Sequence, residues 1–261
     1  MPSAELTRSA IGAAHRTRRF AVAWRNTSLG LIAPVGVLDH DSLGYRFEYL
    51  RNVDQVPDFR PFLGFPNLDW AYESQRLWPF FDLRVMDPKR PDYESYVARL
   101  GLPPTASRLD VLSRSGGEQK GDSVYLAEEP QISEDGATEA TFLVRGVSYA
   151  IREYSSAGSA SQLRSGDQLT IESDPDNPVN AQAMLLVTRT GARVGWVPDL
   201  LIPYAHAVGS GGSAEVTVVQ NNGPNSPWHL RLLVRLAGQV SPGLPIFTGE
   251  DWPPLRLVPG V

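Results

Sequence analysis

The chain contains no cysteine. That excludes disulfides, Cys-based zinc sites and thiol catalysis together. It suits a reducing compartment, and a cytoplasmic, bacterial protein is the expectation. Lysine is nearly absent too, at Lys89 and Lys120 alone, so almost every cation is an arginine. No apolar run approaches the roughly 20 residues that span a bilayer. The start, MPSAELTRSAIGAAHRTRRF, has scattered arginines but no apolar core, so no signal peptide is read there. Also missing are a G-x-S-x-G elbow and a phosphate loop ending in Gly-Lys-Ser/Thr. The nearest approach to such a loop, RSGGEQKGDS at 114–123, reads as a helix stop followed by a turn. His15, His40, His206 and His229 are scattered without metal-ligand spacing. Neither a cofactor nor a catalytic set is expected, and an enzyme is not.

What is present is a folded-protein composition: 261 residues, 42% hydrophobic and 20% charged, with 22 prolines and 23 glycines that predict many turns and few long helices. The formal net charge of -5 argues against a non-specific nucleic-acid coat. RFAVAWRN alternates Phe20, Val22 and Trp24 on one face of a strand, closed by Asn26. Further strands are expected to residue 50, then an irregular aromatic and proline-rich loop at 57–75. Two helices are predicted next. In PDYESYVARLGL, Tyr93, Tyr96, Val97 and Leu100 share one face and Gly101 stops it. In TASRLDVLSRSGG, Ser107 and Asp110 form a capping box and Gly116-Gly117 ends the helix. DSVYLAEEP closes this half as a strand.

Residues 129–140, EPQISEDGATEA, are acidic and aperiodic and read as a linker. Beyond them TFLVRGVSYAI, DQLTIESD, QAMLLVTRT, ARVGWVP, AEVTVVQ and HLRLLVRLAG read as short strands, with LLIPYAHAVGS as one short helix. The expected organisation is a flexible tail at 1–19, an α+β domain at 20–128, the linker at 129–140, a small β-barrel at 141–238 and a Pro-rich tail at 239–261.

Two families are resembled. YRFEYL (Tyr45–Leu50), LWPFFDLRVMDPKRPD (Leu77–Asp92) and RLDVLSRSGGEQKGDSVYL (Arg108–Leu126) stand in the order found in the N-terminal subdomain of HipA-type toxin kinases. The kinase core that follows in that family is absent, so no phosphotransferase activity is implied. The subdomain packs on the kinase core there, or forms a separate chain that restrains the kinase. The resemblance therefore implies an interaction module at 20–128, with a kinase or another protein as partner.

VRGVSYA (Val144–Ala150), SGDQLTIESDPDNPVNAQAMLLV (Ser165–Val187) and GARVGWVP (Gly191–Pro198) resemble a HIRAN domain. That resemblance implies an OB- or SH3-like barrel that binds the 3′-end of single-stranded DNA. Aromatics stack on terminal bases and a carboxylate accepts the terminal hydroxyl. Tyr149 keeps the first stacking position. Ser148 stands where an arginine is usual, Val179 where a second tyrosine is, Asn180 where the hydroxyl-binding aspartate is, Trp196 where a histidine is, and Asp199 where a lysine is. Asn180 could still accept a hydroxyl through its amide oxygen, and Trp196 could stack a base. From Thr141 to Gly238 seven arginines face seven carboxylates, a balance of zero. Electrostatics alone will not hold a nucleic acid tightly there.

The candidate nucleic-acid-binding residues are Tyr149, Asn177, Asn180, Trp196, Arg145 and Arg152. The reading is a non-catalytic adaptor. Its barrel takes a DNA 3′-end or single strand, and its first half takes a protein. The alternative is a protein–protein regulator that binds no DNA. Within DPDNPVN (Asp174–Asn180) a structural turn is expected in either case, with Pro175 fixing φ and Pro178 disfavouring helix at Asn177.

Overall fold

A computed structural model describes residues 17–26, 32–119, 121–153 and 162–247. Residues 1–16 of the expected N-terminal tail, with His15, fall outside these, as do Lys120 and residues 248–261 of the expected Pro-rich tail.

The molecule is mostly β. The first sheet has strands β1 (Arg18–Arg25), β2 (Ile32–Asp41), β3 (Gly44–Tyr49), β4 (Ala71–Ser74) and β5 (Val124–Glu128) in the order β4-β3-β2-β1-β5. The second has β6 (Ala137–Leu143), β7 (Gln168–Ser173), β8 (Met184–Thr188), β9 (Arg193–Trp196), β10 (Glu215–Asn221) and β11 (Leu232–Gln239) in the order β6-β11-β10-β7-β8-β9. Every strand pair is antiparallel. Between β4 and β5 lie three short helices, α1 (Pro79–Asp82), α2 (Tyr93–Arg99) and α3 (Arg108–Ser115). Pro79, Pro91 and Pro103-Pro104, with glycines at 101 and 116, keep them short. Of the expected α+β class with a small barrel, the coarser part holds: a mostly β protein with few helices, one antiparallel sheet and one curled sheet.

The second sheet curls into a half-barrel. Just beyond edge strand β6, Arg145 meets edge strand β9 in a single bridge: its N–H donates to the Trp196 carbonyl at 2.9 Å and its carbonyl accepts the Trp196 N–H at 2.8 Å. Gly195 makes that approach possible. Its φ is +150°, and a Cβ there would lie 2.4 Å from the Arg145 carbonyl oxygen. VSYAI does not continue the strand as expected. Gly146, at φ +65°, turns the chain into helix α4 (Val147–Glu153). The one helix expected in this half is α5 (Ile202–Ser210).

β1 is buried on both faces, which is why its apolar run is unbroken. Successive side chains point to opposite sides. Phe20 and Val22 enter an aromatic core with Phe47, Phe65, Phe81 and Val97. Ala21 and Ala23 turn the other way and join Tyr125 and Ala127 against half-barrel residues such as Phe142, Leu186 and Tyr204. In the other direction Leu143, Leu230 and Leu233 reach into the aromatic core. The loop expected at 57–75 is irregular and packed up to residue 70, but its end pairs with β3 as strand β4. The Tyr49 hydroxyl accepts the Phe62 N–H at 2.6 Å and donates to the Phe65 carbonyl at 3.0 Å, pinning the loop to β3.

The stretch read as a linker is tied down. Glu129 N–H donates to the Arg19 carbonyl, Ile132 bridges Thr138, and β6 begins at Ala137, within 129–140. The acidic composition reflects a solvated turn: Ser133, Asp135 and Gly136 make the hairpin that starts the second sheet. No helix among the described residues is long and apolar enough to cross a membrane.

Candidate nucleic-acid interface

DPDNPVN is a turn closed from within. Asn177 N–H donates to the Asp174 carbonyl at 3.0 Å, the β-turn that Pro175 prepares. The Asn177 side-chain oxygen accepts the N–H groups of Val179 (3.1 Å) and Asn180 (3.2 Å). The Asn180 oxygen accepts the Gln182 N–H at 2.9 Å, and its amide donates to Asp199 Oδ1 at 3.0 Å. Both ends of the Asn180 amide are therefore engaged, and its oxygen serves the backbone. Val179 stands outside the turn, 58% exposed.

Trp196 completes the same unit. Its indole is 9% exposed. Nε1–H donates at 2.8 Å to the buried Asp174 carboxylate, which also receives Asn177 Nδ2 at 3.1 Å and faces Arg193 Nη1 at 3.9 Å. The ring lies over Gly146, where a Cβ would come within 2.6 Å of it. Its centroid is 5.8 Å from that of Tyr149, which is 42% exposed on α4. Asn177, Asn180 and Trp196 thus build the floor, and Tyr149 is the aromatic of the set presented to solvent on it. Arg152 is exposed near by, its Nε–H donating to the Ser148 carbonyl at 3.2 Å.

Beside this floor, a cleft of about 290 Å³ opens where the half-barrel meets the first sheet. Gly146, Val147 and Ser148 from the start of α4 line it, as does Asp199. Arg145 enters from β9's bridge partner and pairs with Glu118 just after α3. Two guanidinium groups flank the Tyr125 ring, Arg25 at 5.1 Å and Arg145 at 5.9 Å from its centroid. Burial raises the Tyr125 phenol pKa, against the opposing charge of Arg25, so it is neutral at ordinary pH. Arg25 carries this aromatic contact and, among the described residues, no ion pair.

The outer wall is Trp228 with His229. The indole is 48% exposed, yet it is held in place. The Arg231 guanidinium lies 4.3 Å from its ring and is itself fixed by donating to the carbonyls of Pro224 (2.8 Å) and Ser226 (2.9 Å). A clamped, half-open indole beside arginines is suited to planar, anionic ligands.

Arg25, Tyr125, Trp228 and His229 were not singled out from the sequence, because three chain segments distant in sequence supply them. One signal was there: the turn-forming run Gly223–Pro227 directly before Trp228 places that residue in a loop, outside the strand read from His229 onward. The RSGG segment behaves as a helix stop, with Gly116 at φ +70° and Gly117 at φ +62°. Among the described residues no group of three or more His, Asp or Glu is placed to hold a metal ion.

No family model matches the chain, and no curated protein matches it. Nothing in these comparisons supports the HipA-type resemblance of residues 20–128. Among solved structures, the crystal structure of the HIRAN domain of human HLTF is similar at 17% identity over 40% of this chain and 76% of that one, with a TM-score of 0.29. At that score the likeness leaves the site to rest on its own motifs and geometry.

Proposed function

We propose that this protein is a non-catalytic adaptor that binds single-stranded nucleic acid, or a DNA 3′-end, along Tyr149 and the adjoining cleft. The observation that carries the reading is the half-exposed Trp228 on a cleft that also holds the Arg25 guanidinium, which has no ion pair among the described residues, with Tyr149 exposed on the helix whose first residues line that cleft. The HIRAN-type motifs support it, because Gly146–Ser148 and Asp199, which they contain or adjoin, line that cleft. Aromatic platforms stack on any base, at about 1–3 kcal/mol each.

The test is fluorescence anisotropy with a short oligonucleotide bearing a free 3′-hydroxyl. Tyr149→Ala and Trp228→Ala should each weaken binding about 5- to 150-fold with unchanged melting temperature. Few cations face the cleft, so the salt dependence should be shallow. Arg25→Gln should reduce the log–log slope by about 0.7. Anisotropy that stays flat into the high-micromolar range at low salt would end this reading.

A protein partner for the first half has its own support. Leu43, Leu63, Trp70 and Leu83 are all exposed there, large apolar side chains that a partner would cover. Native pull-down with and without nuclease treatment separates a directly bound protein from one bridged by nucleic acid.

A further inference from the structure

β5 and β6 follow one another in the chain, and each is the edge strand of its own sheet. Residues 129–136 turn the chain back between them, yet no ladder joins the two. Between the edges lies a groove of about 330 Å³ with the last turn of α3 along one side. Unpaired edges invite a further strand, and proteins ordinarily blunt or cover them.

The register shows which backbone groups face the groove. Val144 N–H bonds the Leu232 carbonyl, so on β6 the even-numbered residues exchange hydrogen bonds with β11. The Glu139 carbonyl, both groups of Thr141 and the Leu143 N–H point the other way. On β5 the bonds of Glu129 N–H to Arg19 and Arg25 N–H to Ser123 turn the Glu128 backbone groups outward in the same manner. The matching outward N–H of Leu126 is already taken by the Gly116 carbonyl. The outward groups of Glu139, Thr141 and Glu128 have no such partner among the described residues.

Arg114, in the last turn of α3, lines the groove and is only partly exposed. No hydrogen bond or ion pair holds it among the described residues. The nearest carboxylates, Glu128 and Asp110, are both engaged by Arg18, at 2.6 and 2.9 Å. Burial lowers the Arg114 pKa, with Glu128 and Asp110 opposing that from a distance. A desolvated cation with no carboxylate bonded to it is unfavourable, and an incoming carboxylate in contact would offset that cost.

We propose that this groove takes an extended peptide segment of about three residues by strand addition to β6, with an acidic side chain of the peptide paired to Arg114. The backbone of Thr141 supplies the register and Arg114 the sequence preference. The groove adjoins the Trp228 cleft, Leu126, Ala127, Arg145 and Pro198 lining both, but Thr141 and Arg114 line only the groove, and the proposal stands or falls without the nucleic-acid reading.

The test is selection of a displayed random heptapeptide library on the full chain, followed by synthesis of the enriched peptides. A family with Asp or Glu at one fixed position is expected. Its binding should fall at least about tenfold in Arg114→Gln and be partly restored in Arg114→Lys. Bound peptide should slow hydrogen exchange at the Thr141 and Leu143 amides. Thr141→Pro removes the groove-facing N–H and leaves the β11 ladder intact, as proline is tolerated on edge strands, so it should abolish binding in a protein that still melts normally. No enriched family, equal binding by Arg114→Gln, or unchanged exchange at Thr141 each overturns the proposal. Acetate alone shifting the groove resonances as fully as the peptide also overturns it, in favour of a small-anion site.

Discussion

Asp174 shows how one residue organises the candidate site. It is a buried carboxylate, and burial of a charge is tolerated only with good hydrogen bonds. The Trp196 indole and the Asn177 amide supply them. Trp196→Phe keeps the ring and removes one donor, so it should destabilise the protein by about 1–3 kcal/mol, measured by denaturant unfolding. Oligonucleotide binding by the folded fraction should persist, because Tyr149 keeps its apolar support. Equal loss of binding and no loss of stability would instead make the indole a ligand platform. Asn180 obeys the same logic: its amide is committed to Asp199 and to the Gln182 N–H, so Asn180→Ala acts on the turn first.

At the scale of elements, α3 is the one whose ends were most legible. Ser107 accepts the Asp110 N–H and Asp110 reaches back to the Ser107 N–H, while Gly116 closes the helix in the left-handed region. Burial pushes the Asp110 carboxyl up, but the Ser107 hydrogen bonds and the Arg18 charge outweigh it and hold the pKa below its ordinary value. A depressed carboxylate contributes stability above the unfolded-state value and loses it as pH falls through the folded one. Asp110→Asn should cost about 1 kcal/mol at neutral pH and flatten the acid limb of the stability curve below about pH 4. Urea midpoints measured across pH check both. α4 was read as strand because its apolar residues are few and close together. Only the φ of Gly146 and the bulk of Trp196 behind it turn that stretch into a helix, and neither is visible in local periodicity.

At the scale of the molecule, the two sheets share side chains. Leu233 lies on β11 but packs in the aromatic core of the first half, and Ala21 and Ala23 of β1 pack against the half-barrel. Leu233→Ala should therefore cost about 2–5 kcal/mol and lower the stability of both halves together. Hydrogen exchange on β1 and β11 should accelerate in parallel. Acceleration confined to the second half would show that the halves unfold independently. The same packing creates the cleft at Tyr125 and the groove at Arg114, since both are bounded by β5 and the half-barrel.

The sequence by itself determined the strand texture, the two helices at Tyr93 and Arg108 and the closed turn at Asp174–Asn180. Each of these follows from local periodicity, proline and glycine geometry or capping chemistry. Only the tertiary structure decided that Trp196 and Asn180 serve the floor of the site. Their hydrogen bonds run to Asp174 and Asp199, 22 and 19 residues away. Only it brought Arg25, Tyr125 and Trp228 around one cleft, because that grouping depends on a curled sheet packing on the back of a second one, a long-range contact that no local pattern encodes.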